Sequence, residues 1–441
     1  MTLITQSPEE VTESTALAQA SEDYPLAAVP QSARKPLRSL APLLMGFTLT
    51  STTLLAGGAI APSFRFWPNL AVIIVVSNLM LGLYCAALAY IAYRSGLTTV
   101  LMARYSFGNW GSRWVDFLLG ITQISGYAIT TAFAVQALHQ LITLPADWDR
   151  WVIILFTYGF CITAYVGYAA MDWLSRLAVP AMLGLIGISI TLAGQDLGGW
   201  STLLAIDSTG LTQTPVLRWD EALTIVIATF ISGGAQATNW SRFANSGRTA
   251  IISTLLGFFG VNGLLVFTGA LCWIVYGSED IVGAMVQQGI VWAGVGLLVL
   301  NVWTTQDNTI YAFSVAGANM FRTPNRHLFV LSGATLALGL TWAGIYENLT
   351  PYLLILGTII PPIGGVIMAD FWLRRQGQFP PLESQHTAFN WAGILAYAIA
   401  SGVALLSAQA SIGIAPVNGV AIAVLLYWGL IHVLPAEAGG K

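Results

Sequence analysis

From residue 36 to residue 433 the chain alternates long apolar runs with short polar connections. A helix needs about 20 apolar residues to cross a bilayer. Twelve such runs are centred near Thr50, Met80, Gln123, Thr157, Leu185, Ile231, Leu264, Asn301, Thr335, Ile355, Leu395 and Ala423. The pattern predicts an all-α polytopic membrane protein with about 12 transmembrane helices. Residues 1–34, rich in Glu9, Glu10, Glu13, Glu22 and Asp23, read as a disordered N-terminal tail. Residues 35–433 then form one membrane domain, and 434–441 a short C-terminal tail. The connection around 195–219 holds Gly198, Gly199, Asp207, Gly210 and Pro215 and predicts an ordered loop or a short surface helix.

Two runs are interrupted at mid-membrane depth. The first reads Leu44-Met45-Gly46-Phe47-Thr48-Leu49-Thr50-Ser51-Thr52-Thr53, and the sixth reads Thr229-Phe230-Ile231-Ser232-Gly233-Gly234-Ala235. A glycine inside a helix is less favourable than alanine by about 1 kcal/mol, so glycines flanked by hydroxyls predict local unwinding. Unwound backbone at that depth must line a cavity or be buried in protein. If the first ten helices form two five-helix halves, the first and sixth correspond. Paired broken helices in corresponding positions point to a midplane binding site in a transporter. Close packing through small residues would leave a similar trace at either run alone.

Charge fixes the orientation. With the N-terminus inside, Arg34, Lys35, Arg38, Arg94, Arg104, Arg113, Arg176, Arg242, Arg248, Arg322, Arg326, Arg374, Arg375 and Lys441 fall on the inner side. Only Arg65, Arg150 and Arg218 fall outside, which accounts for all 17 basic residues. The positive-inside rule thus predicts cytoplasmic termini in an inner (plasma) membrane. Composition agrees: 56% of residues are apolar and 8% charged, against about 25% charged in soluble domains. A formal net charge of -3 without a basic tract gives no footprint for nucleic acid. Cys85, Cys161 and Cys272 stand apart in apolar runs and predict neither a disulfide framework nor a metal cluster.

The eighth run carries the densest polar cluster, Asn301-Val302-Trp303-Thr304-Thr305-Gln306-Asp307-Asn308. Asn301, Thr304, Thr305 and Asn308 share one helix face. Their oxygens could complete the shell of a small hard cation, with carbonyls of the broken first helix supplying the rest. The same face would also serve as a hydrogen-bonded seam. Asp307 is an ionisable group at depth and so a functional candidate. In the third run Gln123 and Tyr127 are four apart and predicted to face one way. A Gln amide suits the edge of a heterocycle, and Tyr127 or Phe230 could stack on its face.

Several stretches carry a family likeness: Val29-Pro30-Gln31-Ser32-Ala33-Arg34-Lys35, Ala103-Arg104-Tyr105-Ser106-Phe107-Gly108, Phe230-Ile231-Ser232-Gly233 with Arg242-Phe243, Leu300-Asn301-Val302-Trp303-Thr304-Thr305, and the run from Pro361 to Asp370. Through them the chain resembles the nucleobase–cation symporter family of purine and cytosine permeases. The resemblance implies the inverted five-plus-five repeat of the leucine-transporter fold, followed by two C-terminal helices. It implies a sodium site between the first and eighth helices, formed by the Gly46 and Thr50 carbonyls and the side chains of Asn301, Thr304 and Thr305. It implies a base lying between the third and sixth helices against Phe230, its edge bonded to Gln123, Ser232, the Thr229 backbone and Gln306. Two positions depart from the cytosine-carrying pattern: Gly126 stands where a stacking Trp is expected, and Gln306 where an Asn is expected. Either Tyr127 replaces the lost ring, or the pocket takes a larger purine or a substituted pyrimidine.

The expected function is import of a nucleobase with a cation, sodium or alternatively a proton, by alternating access. Another planar heterocycle, such as hydroxymethylpyrimidine, hydantoin or allantoin, is the alternative cargo. No cofactor and no obligate protein partner is expected. Without a metalloprotease HExxH motif or a credible Ser/His pair, an intramembrane enzyme has little support, and a channel or transceptor is the remaining rival.

Overall fold

A computed structural model describes residues 24–142, 145–206, 217–278, 280–382 and 387–434. Residues 1–23 and 435–441, assigned above to tails, lie outside the described residues, as does 207–216 of the long connection. No strand occurs among the described residues; one isolated backbone bridge joins Lys35 and Ala244.

Among the described residues, twelve helical runs follow in chain order. The first, α1, is in two pieces, Leu37–Thr48 and Ser51–Ile60. Then come α2 (Ala71–Ser95), α3 (Thr99–Leu141), α4 (Asp149–Gly159 and Ile162–Val166) and α5 (Tyr168–Asp196). The sixth, α6, is again in pieces: Trp219–Ala228, Ile231–Ala235 and Thr238–Ser241. The rest are α7 (Gly247–Leu255 and Asn262–Tyr276, joined by a wide π-type turn), α8 (Val291–Phe321), α9 (Arg326–Trp342), α10 (Leu349–Ile359 and Pro361–Ala369), α11 (Trp391–Ala410) and α12 (Ala415–Val433). Each run expected from hydropathy is therefore a helix, and the connection after α5 does contain a short one, Trp200–Ala205. Eight described helices are long and apolar enough to cross a bilayer, nine if the bent first pair is one span. The others fall short for local reasons. The polar cluster dilutes α8, α9 has only 17 residues, and α6 is divided.

The two breaks have different causes. In α1, Leu49 and Thr50 leave helical geometry, Thr50 at φ -125° and ψ 145°, and the two halves meet at 53°. Polar side chains soften the break: the Thr48 hydroxyl turns back to the Leu44 and Met45 carbonyls at 3.2 and 3.0 Å. In α6 the break falls at Thr229 and Phe230, just before the glycine pair. Gly233 and Gly234 lie in the short helical turn that follows, where space rather than flexibility demands them. A Cβ on Gly233 would stand 2.8 Å from both Phe230 Cδ1 and Phe47 Cζ, and one on Gly234 would run into Cys85 Sγ.

Packing inverts the soluble pattern. Outer faces carry Leu177, Ile188, Leu336, Leu406 and Leu425, all exposed, whereas Gln306, Asp307 and Asn308 are fully buried. Large apolar side chains facing outward around a polar interior suit lipid as the solvent. The segment from Tyr24 to Arg34, placed with the tail by composition, is packed onto the bundle. Val29 is 3% exposed, its N–H donates to the Gly96 carbonyl, and the Arg34 guanidinium donates to the Tyr93 and Ala244 carbonyls. At the same end, the buried Asp370 carboxylate pairs with Arg375 at 3.0 Å and accepts from Tyr427 of α12 at 2.7 Å, fastening α12 to the end of α10.

Candidate functional site

The break in α1 faces the polar side of α8. The Leu49 carbonyl, freed from helical pairing, accepts from Asn301 Nδ2 at 2.6 Å and from Thr305 Oγ1 at 2.9 Å. Ser51, on the far side of the break, donates to Asn301 Oδ1 at 2.7 Å. The Thr50 N–H, which in an unbroken helix would bond the Gly46 carbonyl, bonds the Thr48 carbonyl instead at 2.9 Å. The Gly46 carbonyl thereby loses its usual donor. Gly46 also lets α5 approach, since a Cβ there would stand 3.1 Å from Val179 Cγ2 and 3.2 Å from Ser175 Oγ. Thr304 turns its hydroxyl to its own helix, to the Leu300 carbonyl at 2.9 Å. The Leu49 carbonyl is thus held by the Asn301 amide and the Thr305 hydroxyl, with Ser51 on Asn301 Oδ1, a polar corner whose carbonyl, amide and hydroxyl oxygens are of the donor type a hard cation takes.

Beside this corner lies a narrow cavity of about 60 Å³. Thr50, Thr305 and Thr309 border it on the α1 and α8 side, Thr122, Gln123, Gly126 and Thr130 on α3, and Thr229, Phe230, Ser232 and Gly233 on α6. Phe230 is held at its edge by Phe47, the rings 5.0 Å apart and nearly perpendicular. Gln123 Nε2 donates to Ser232 Oγ at 3.3 Å, and Thr122 and Ser232 share a hydroxyl–hydroxyl bond. These contacts fix a polar edge of the cavity, and Phe230 adds an aromatic face to its lining. No described lining residue carries a charge. An uncharged ligand, flat and polar at its rim, matches such a surface.

The structure brings Gln123, Thr229, Phe230 and Ser232 to the cavity, but not Tyr127 or Gln306. Tyr127 is fully buried behind the lining, its hydroxyl donating to the Thr157 carbonyl of α4 at 2.5 Å. The four-residue spacing from Gln123 leaves an angular offset, and α4 captures the phenol. Gln306 points back to α3, donating to Thr131 Oγ1 at 2.7 Å and to the Tyr127 carbonyl at 3.3 Å. Thr50, expected as a carbonyl ligand, lines the cavity, and the carbonyl of the neighbouring Leu49 is the one that bonds α8. Asn308 donates its amide to the Thr304 carbonyl and to Asp307 Oδ1. Asp307 accepts from Thr163 of α4 at 3.1 Å and does not border the cavity.

Sequence reasoning missed the contribution of α10. Leu349, Tyr352, Leu353 and Leu356 close the cavity, and Tyr352 donates to the Thr122 carbonyl at 3.1 Å. In sequence these residues read as an ordinary apolar span; a lone tyrosine after Pro351 was the sole signal.

The arrangement has known counterparts. A family model described as permease for cytosine/purines, uracil, thiamine and allantoin matches residues 28–430. The chain belongs to this permease family. Cytosine permease of Escherichia coli (strain K12) is 32% identical over 408 residues, covering 92% of this chain and 93% of that protein. Hydantoin permease of Microbacterium maritypicum is 22% identical over 404 residues, with 84% and 81% covered. Among solved structures, a nucleobase-cation-symport-1 family transporter in a closed conformation with bromovinylhydantoin bound superposes with a TM-score of 0.80, at 18% identity and 92% and 94% coverage. A Na+-coupled sialic acid symporter superposes at 0.67, with 11% identity and 93% and 92% coverage. These likenesses establish the inverted five-plus-five repeat, with α1 and α6 opening the two halves and α11 and α12 following. As a member of the permease family, the chain is a multi-pass membrane transporter and not an enzyme.

Proposed function

We propose that this permease imports an uncharged planar nitrogen heterocycle, a nucleobase or a close relative, together with sodium. The observation that carries the reading is the Leu49 carbonyl, where the break in α1 meets Asn301 and Thr305 directly beside the cavity. Sodium suits an all-oxygen site on helix-break carbonyls and hydroxyls. Its ligands in this reading are the Gly46 and Leu49 carbonyls with Asn301, Thr304 and Thr305. The base lies against Phe230, its edge meeting Gln123, Ser232 and Thr229. The uncharged lining favours a neutral ring over a cationic cargo such as thiamine, which would enter without a counter-charge.

Gly126 bears on the size of the cargo. A Cβ built there would meet nothing within 4 Å, and Tyr127 is turned away from the space. In this reading the open space beside Gly126 takes a ring substituent or part of a second ring, which favours a purine or a substituted pyrimidine or hydantoin over an unsubstituted single ring.

Sodium holds the α1 break against α8 and orders the cavity wall; base binding must then raise sodium affinity by the same factor. Alternating access follows as the helices carrying the breaks rock against α3 and α8. The termini lie in the cytoplasm in this reading. Its support is the gathering of Arg34, Lys35 and the ends of α2 and α6 at one end of the bundle, together with the positive-inside rule. The test is binding of radiolabelled bases to the purified protein in sodium and in choline, with cytosine, adenine, guanine, hypoxanthine, uracil, hydantoin and hydroxymethylpyrimidine as competitors. Sodium-dependent binding of at least one base supports the proposal; equal binding in both salts removes the sodium claim.

A further inference from the structure

A buried hydrogen-bonded hub joins the two halves of the site from behind. Asn262, fully buried at the end of the wide turn in α7, uses its side-chain amide toward three other helices. Its Oδ1 accepts from Thr53 Oγ1 of α1 at 2.9 Å. Its Nδ2 donates to Asn78 Oδ1 of α2 at 2.8 Å and to Thr229 Oγ1 of α6 at 3.2 Å. The Thr229 hydroxyl in turn donates to the Val226 carbonyl at 2.7 Å, so both of its roles are assigned. Thr229 lines the cavity; Asn262 and Thr53 do not.

The other end of the chain of contacts is the cation corner. Thr53 sits in the first turn after the α1 break, its N–H bonded to the Thr50 carbonyl at 3.2 Å. Ser51 of that same turn holds Asn301. This half of α1 is in backbone contact with α7: a Cβ on Gly57 would run into the Val266 carbonyl, and one on Gly269 into the Leu54 carbonyl. The outer half of α1, α7 and Thr229 of α6 are thus linked by direct contacts through Asn262. Buried polar side chains without partners are costly, which favours keeping the bonds of the hub together.

We propose that Asn262 is the positioning residue that couples cation occupancy to base affinity, acting through the Thr229 hydroxyl. This role rests on the sodium–base reading above. The coupling is the factor by which saturating sodium tightens base binding, and such factors are typically about 5- to 150-fold.

The test measures base dissociation constants with and without saturating sodium for the wild type, Asn262→Leu, Thr53→Val and the double variant. Each single variant is expected to lower the coupling factor to about 2, with affinity in the absence of sodium within about threefold of wild type, and the double variant to add nothing, as for residues of one network. A factor unchanged in both single variants overturns the proposal. So does an equal loss of affinity with and without sodium, which marks a merely structural role. If Asn262→Leu does not fold, the milder Thr53→Val decides alone by the same outcomes. A wild-type factor of 1 is a separate result, because it refutes the sodium reading itself along with this role.

Discussion

Replacing Thr305 by valine keeps the shape of the side chain and removes one oxygen from the cation corner. The hydroxyl donates to the Leu49 carbonyl at 2.9 Å, and that carbonyl retains the Asn301 amide at 2.6 Å. Folding stability should therefore fall only by about 1 kcal/mol, the net value of one neutral buried hydrogen bond. A bond to a charged group is worth about 1.5–3 kcal/mol. At 1.4 kcal/mol per tenfold, loss of one cation ligand corresponds to roughly 10- to 150-fold weaker sodium binding. The valine methyls still border the cavity, so base affinity at saturating sodium should stay within about twofold of wild type. The assay is the sodium concentration giving half-maximal base binding, measured with a thermal-unfolding control. An unchanged sodium requirement beside the expected loss of stability would show that Thr305 only seams α8 to α1, and the cation corner would be misplaced.

Phe230→Ala removes the aromatic wall; base affinity should fall roughly 5- to 150-fold, from about 1–3 kcal/mol per stacked base. The sodium requirement at saturating base should change far less, as binding titrations in both ligands would register. Tyr127→Phe should leave base affinity within about twofold and lower stability by about 1 kcal/mol, because its hydroxyl serves the Thr157 carbonyl outside the cavity. A large loss of base affinity in that variant would return Tyr127 to the site. Gly126→Trp should fill the open space on α3 and shift competition toward single-ring ligands over purines. An unchanged preference order would place the cargo elsewhere.

The helical frame was legible because apolar runs in lipid leave few alternatives, and the breaks were legible from the hydroxyls of Thr48 to Thr53 and of Thr229, whereas Gly233 and Gly234, expected to unwind, lie in a helical turn beside the break. The carbonyl that α8 grasps was not. A backbone carbonyl has no side-chain signature, and only the geometry of Leu49 and Thr50 decides which of them faces Asn301. The orientations of Tyr127 and Gln306 were also hidden, since periodicity assigns a helix face but not the neighbour that captures a side chain. Here α4 takes the phenol and α3 takes the amide. The covering role of α10 left almost no trace, because Leu349, Leu353 and Leu356 would be leucines on a lipid-facing helix as readily as beside a ligand. Asn262 was equally silent: one polar residue in an apolar run becomes a hub only when three other helices bring Thr53, Asn78 and Thr229 to it.

The most direct test of coupled sodium–base transport is accumulation of a radiolabelled base, chosen as the tightest in the competition panel, by proteoliposomes given an inward sodium gradient or an equal choline gradient. The expected result is transient accumulation above equilibrium with sodium, and equilibration without overshoot in choline. Accumulation of the same size in both, or accumulation that follows an imposed pH gradient and ignores sodium, would contradict the assignment of the α1–α8 corner to sodium.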